Sequence, residues 1–242
     1  MKIISSILVL SSVMLFGCGG GGSGDESGES VNPTPTVEMD GLYINGDDMT
    51  FLLVDTERKQ GPIIAADYSN DEIYIVSSGS RSGDTYSGVG LYILNLFGFA
   101  YDSDKEVNVK FGSDDTATLT TMDYNNNLVS YTALKTAGSL LLTELAGNHV
   151  DPLGTEWNLN SDGSFTINGF CTISGVLSSK GYYHFAKDVL ATNCSDPEYD
   201  QNNYEAVIAT VEVDGENVLL GLMVSVDSNG IARGIWDYVT IE

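Results

Sequence analysis

Two histidines, His149 and His184, are the bases this 242-residue chain can offer a serine or cysteine nucleophile, which needs a base within reach. His184 falls in Tyr182-Tyr183-His184-Phe185, inside an expected strand, and His149 sits beside a loop with Asp151 and Pro152. Both are read as structural or surface residues. Gly79-Ser80-Arg81-Ser82-Gly83 has the wrong spacing for a nucleophile elbow and no helix after it. No catalytic residue is therefore expected, and the chain is read as a non-enzyme. Calcium is the stronger chemical option, because hard oxygen ligands abound. Asn158-Leu159-Asn160-Ser161-Asp162-Gly163 matches the opening of an EF-hand loop, but the twelfth position is Gly169, where a bidentate Glu is required. A hairpin turn fits it better. Asp102-Ser103-Asp104, Asp114-Asp115 and Asp196 to Asp200 read as solvated loops, so neither a metal site nor a cofactor is expected. Thirty-four acids always supply carboxylate pairs. Glycosidases, however, raise the pKa of one carboxyl in an apolar pocket, and periodicity here puts the acids mostly in turns.

Cys18 is the third kind of reactive group. Lys2 gives a positive start, and residues 3–16 are apolar apart from Ser5, Ser6, Ser11 and Ser12. That run is too short for the roughly 20 residues that span a bilayer, and it fits a secretory signal. Leu15-Phe16-Gly17-Cys18 resembles the lipobox of bacterial lipoproteins, in which Leu, a variable residue and a small residue precede an invariant Cys. The resemblance implies that residues 1–17 are a signal peptide and that Cys18 becomes the acylated N-terminus. Its thiolate would carry a diacylglycerol thioether and its amine a palmitate-like chain, making the lipid bilayer a partner. One buried chain binds membranes only marginally, and several make the binding stable. Gly19 rather than Asp follows the Cys, which in the Gram-negative sorting scheme favours the outer membrane, with the body periplasmic or surface-exposed. An ordinary signal peptide with an incidental Cys is the other reading.

The net charge is −24, and without residues 1–17 it becomes −25, with 9 basic against 34 acidic residues. Such a surface repels phosphate backbones, so nucleic acid is excluded as a partner. It suits a basic protein, a cationic ligand or divalent cations, or it serves solubility in a salty medium. Cys171 and Cys194, an isolated pair in an exported chain, are read as a disulfide.

Stepping outward from these groups, residues 18–40 are rich in Gly, Ser, Asp, Glu, Thr and Pro with no apolar periodicity. They read as a flexible tether of about 25 Å root-mean-square span. From Gly41 onward, short β-branched and aromatic runs alternate with turn chemistry, the pattern of an all-β fold. Val107, Val109 and Phe111 share one face of a strand over 106–111. Strands are also expected at 116–122, 128–134, 157–160, 164–177, 182–190, 204–213, 217–226 and 232–241. Residues 90–101, apolar on both faces, are read as the most central strand of the first half. Good helix formers over 139–146 predict one or two helical turns ending on Gly147. Asp214-Gly215 and Asp227-Ser228-Asn229-Gly230 are hairpin signals.

Asp40-Gly41-Leu42-Tyr43 leading to Met49-Thr50-Phe51-Leu52 parallels Ala146-Gly147-Asn148-His149 leading to Ser164-Phe165-Thr166-Ile167. Two antiparallel β-barrel or sandwich lobes, 41–136 and 137–242, follow as the first choice, with one large barrel or sandwich as the alternative. Leu145-Ala146-Gly147, the Trp157 to Phe165 hairpin, Cys171-Thr172-Ile173-Ser174-Gly175 and a distal Cys194 give the second half a resemblance to a group of uncharacterised proteobacterial lipoproteins. It departs from them in having His149 for the opening aromatic and Phe170 for the Gly before Cys171. The resemblance implies small antiparallel barrels of lipocalin-like or transferrin-binding-protein-like type, and no activity.

The expected role is a membrane-anchored binding module for an envelope protein or a small ligand. An immunity protein that blocks a toxic effector through its acidic surface is a special case. The alternative is a calcium-dependent or carboxylate-based hydrolase of envelope glycans. A closed lobe with a filled interior would count against a small-ligand carrier.

Overall fold

The computed structural model describes residues 38–47, 49–123 and 125–241. The expected signal peptide, Cys18 and most of the expected tether lie outside them. The fold is all-β, as the alternation of apolar and polar residues requires. The first lobe is a closed antiparallel barrel of eight strands in chain order. They are β1 (Gly41–Asn45), β2 (Thr50–Val54), β3 (Ile63–Asp67), β4 (Glu72–Ser82), β5 (Thr85–Asn95), β6 (Gly98–Phe111), β7 (Thr116–Met122) and β8 (Leu128–Lys135). Pairing of Tyr43 with Lys135 and of Ile44 with Leu134 closes it.

The second lobe opens with one helical turn, α1 (Leu142–Leu145). A meander follows of β9 (Gly147–Val150), β10 (Glu156–Leu159), β11 (Ser164–Asn168), β12 (Thr172–Val176), β14 (His184–Thr192), β15 (Gln201–Val213), β16 (Glu216–Val226) and β17 (Ala232–Ile241). The short β13 (Ser178–Ser179) pairs with β14 alone. β17 comes up against β9, so this sheet is nearly closed.

Three apolar clusters explain the sequence pattern. The first barrel is filled by Tyr43, Leu52, Tyr74, Leu91, Val107 and Val109, and the second by Trp157, Phe165, Ile173, Tyr204, Leu219 and Val239. The third joins outward-facing Leu42, Phe51, Leu53 and Ile64 of the first lobe to Val207, Ala209, Leu220 and Leu222 of the second. Strands β2 and β3 are thus buried on both faces, and their apolar runs do not alternate. Both lobes belong to one compact unit.

Several expectations need correction. The tether stops earlier than 40. Met39 is 2% exposed in the first barrel's core, where Tyr43 Oη donates to its carbonyl (2.6 Å), and Asp40 accepts from Thr56 N (2.9 Å). A single Met between two acids carries no periodic signal.

Residues 90–101 are not one strand but parts of β5 and β6 around a turn. There Asn95 Oδ1 accepts from Phe97 N (2.9 Å), leaving Leu96 72% and Phe97 98% exposed. Apolar side chains at the turn hid the break. Likewise 164–177 divides into β11 and β12 around Gly169-Phe170-Cys171.

Gly147 stands at the expected C′ position after α1, but without the left-handed conformation of a helix-ending glycine. Ala146 takes the C-cap in an extended conformation and Gly147 begins β9. Asp102 to Asp104 lie within β6 instead of in a loop. The proposed repeat is out of step, because Phe51 sits in the second strand of its lobe and Phe165 in the third. The turns at Asp214-Gly215, both with φ above +50°, and at Asp227 to Gly230 are as expected.

Candidate functional site between the lobes

Where the shared apolar face ends, the lobes part to leave a cleft of about 550 Å³. Its first wall comes from Ile64 on β3, Ile75 and Ser77 on β4, Tyr92 on β5 and Tyr101 on β6. The second comes from Glu205 and Val207 on β15 with Leu222 and Val224 on β16. Tyr92 and Tyr101 are register partners across β5 and β6, and their rings stack at 4.2 Å and 22°. Strand pairing alone puts them face to face. Beside them Gly90, φ +77°, occupies the bulge between Val89 and Leu91. A Cβ there would meet Ser77 Oγ at 2.9 Å and Tyr101 Oη at 3.3 Å. Ser77 Oγ is buried and has no hydrogen-bond partner among the described residues.

The cleft's rim is the β2–β3 connection, Arg58-Lys59-Gln60-Gly61. Arg58 reaches across to the second lobe. Its guanidinium lies 5.0 Å over the Phe185 ring, Nη1 donates to Tyr183 Oη (3.3 Å), and Nε donates to its own loop at Gln60 O (3.3 Å). Nη2 stands 3.7 Å from Glu205 Oε2, an ion pair beyond hydrogen-bond range. Five N–H donors are therefore only partly used. Tyr183 donates to Asp55 Oδ2 (2.7 Å), and burial pushes its hydroxyl up to about 12, so it remains a donor. A second recess shares Arg58 and Glu205 and adds Lys180 and Lys187, the latter 3.6 Å from Glu205 Oε1. Arg58, Lys59, Lys180 and Lys187 are four of the chain's ten basic residues, set against Asp55, Glu57 and Glu205. In a protein of net charge −24 this is a local reversal.

The residues singled out from the sequence fall elsewhere. Cys171 and Cys194 form a disulfide (S–S 2.00 Å) at the end of the β12–β14 ladder. His149 Nε2 faces Leu145 O at 3.0 Å. Asn158 to Gly163 form the β10–β11 hairpin, where Asp162 accepts from Ser164 N and Oγ. Among the described residues no group of three or more His, Cys, Asp or Glu could hold a metal ion. No helix among them is long and apolar enough to cross a membrane.

Contrary to expectation, one hydroxyl does meet a base: Ser179 Oγ lies 3.1 Å from His184 Nδ1. They are cross-strand partners on β13 and β14. His184 is 3% exposed, its Nε2 lies 2.8 Å from Leu140 O, and burial lowers its pKa. That is a neutral imidazole fastening the inter-lobe connection, and neither residue lines the cleft or the recess.

A carboxyl pair also exists. Burial raises Asp151, but hydrogen bonds from Thr155 and from the Leu153 amide outweigh it and hold the group low. Burial raises Asp237, and the Asp151 charge adds to the rise.

The chain matches no family model, no curated protein and no solved structure. The site therefore rests on geometry alone. Sequence reasoning passed over Arg58, Tyr92, Tyr101 and Glu205, although a signal was present in Arg58-Lys59 as adjacent cations in an anionic chain.

Proposed function

We propose that this chain is an outer-membrane lipoprotein, held to the bilayer by acylated Cys18, whose body binds a small ligand in the cleft between its lobes and catalyses nothing. The observation that supports the binding role is a cleft with apolar walls, a stacked tyrosine pair and an under-used guanidinium, the mixture typical of ligand sites. Both lobe interiors are filled by side chains, which counts, as expected from the sequence, against a ligand carried inside a lobe, so the small-ligand reading is supported by the cleft between the lobes alone. Of the two partners expected from the sequence, the cleft favours the small molecule over an envelope protein.

Native mass spectrometry of the full chain extracted from membranes tests both parts. The expected mass lacks residues 1–17, carries acyl chains at Cys18 and includes a small molecule lost in Val224→Trp, which fills the cleft. An unmodified Cys18 would remove the anchor. A small molecule retained by Val224→Trp would remove the site.

A second reading, glycan hydrolysis, draws on Asp151 and Asp237, whose surroundings push their carboxyls apart as an acid and a base require. Hydrolysis of envelope glycan abolished by Asp237→Asn would replace the binding role with this one.

A further inference from the structure

We infer that the ligand of the inter-lobe cleft is an aromatic acid, with its anionic head on Arg58 and its ring against the Tyr92–Tyr101 stack. The inference rests on the cleft being the binding site, and goes beyond it by fixing the chemistry of the occupant.

Three features point the same way. Arg58 is pinned by Tyr183, Gln60 and the Phe185 ring, so its fork is held in place before any ligand arrives. Its Nη2 remains 3.7 Å from Glu205, which also pairs with Lys187 at 3.6 Å. That carboxylate is divided between two cations and saturates neither. A planar acid can take the unfilled donors in the fork geometry that suits carboxylates. Tyr101 is 46% exposed, and Tyr92 backs its ring at 4.2 Å. A flat ring extends that stack at little entropic cost. Opposite, Val207, Leu222 and Val224 close an apolar wall. Ser77 Oγ, unpartnered in the same cleft, offers a further polar contact to a substituent on the ring.

Charge selects the sign. A cationic ligand would have Glu205 as its partner, but Arg58 and Lys187 already pair with that group. The rest of the surface is strongly acidic and repels anions, so an anion finds its favourable ground here.

The test uses the full chain in detergent and a matched fluorescent pair. 8-Anilinonaphthalene-1-sulfonate and the uncharged N-phenyl-1-naphthylamine share rings and differ in the sulfonate. The anion should bind about tenfold more tightly, as one charge-assisted contact implies. Arg58→Met should bring the two to within about threefold, with a thermal melt confirming the fold. 1-Naphthoate should displace the anionic probe better than decanoate. Equal affinity for the two probes, or stronger binding of a cationic naphthyl amine, would overturn the anionic head. Better displacement by decanoate would overturn the aromatic body. Each of those results leaves the cleft standing as a site. Anionic-probe binding unchanged by Val224→Trp would instead show that the cleft itself is not where ligands go, which is a separate failure. If Arg58→Met does not fold, the ratio of the two wild-type affinities decides the matter alone.

Discussion

Asp67 shows how this acidic chain uses its carboxylates at the scale of one residue. It is buried at the end of β3 and accepts from Ser69 N and Oγ, Asn70 N and Nδ2, and Tyr131 Oη. Burial alone would raise its pKa, but the hydrogen bonds from Asn70, Tyr131 and Ser69 outweigh burial and hold it below the ordinary range. Asp67→Ala removes the acceptor of those hydrogen bonds; Ser69 and Asn70 are exposed and can turn to water, so the change should cost about 1–2 kcal/mol in urea unfolding. A lowered folded pKa contributes stability that is present above the unfolded value near 4 and disappears as pH falls through the folded one. The urea midpoint of Asp67→Asn should therefore fall less steeply below about pH 4 than that of the wild type.

Asp237 has the opposite sign. Its raised pKa gives a contribution complete below the unfolded value and lost as pH rises. Asp237→Asn should thus raise the melting temperature at neutral pH and change it little in acid. Packing sets a third expectation. A Cβ at Gly221 would run into the Trp157 ring, so Gly221→Ala should destabilise by about 1–3 kcal/mol.

Among the elements, most strands were legible, including β15 and β16, which are buried on both faces and lie where 204–213 and 217–226 were expected, but β2 and β3 were not singled out. β7 and β17 have the expected bounds, and in β6 Val107, Val109 and Phe111 are buried on the face that alternation assigned to them. Phe51 to Val54 and Ile63 to Ala66 carry no alternation, since one set of side chains fills a barrel and the other the seam between lobes. Their pattern cannot say which residues face which core. The β5–β6 turn was missed for a related reason: Leu96 and Phe97 extend an apolar run through a reversal that Asn95 and Gly98 make.

The disulfide was legible once Cys18 was set apart by the lipobox resemblance and the chain was read as exported, leaving Cys171 and Cys194 as a pair. It holds the turn after β11 to the end of β14, across a separation of 23 residues. Replacing both cysteines with Ala should cost about 3 kcal/mol in the chain-entropy account, read from urea unfolding. The cleft residues were illegible because Arg58 and Glu205 are 147 positions apart in the sequence and meet only when the two sheets dock.

At the scale of the whole molecule, the shared apolar face makes two barrels one body. Separating them would expose Leu53, Ile64, Leu220 and Leu222 to water, so neither lobe should unfold ahead of the other. Both tryptophans, Trp157 and Trp236, lie in the second lobe, and strand signal comes from both lobes. Tryptophan fluorescence and far-ultraviolet circular dichroism should therefore give coincident urea transitions. Leu220→Ala should shift the two together, by about 2–5 kcal/mol.

The same docking creates the cleft, because the β2–β3 loop and the first residues of β15 overhang the end of the apolar contact. Binding is thus a property of the pair of lobes. A crystal structure of the chain soaked with 8-anilinonaphthalene-1-sulfonate tests this most directly. The account places the naphthyl ring on Tyr101 and the sulfonate at Arg58, between the lobes. A probe seated inside either barrel, or on an outer face away from the seam, would contradict it.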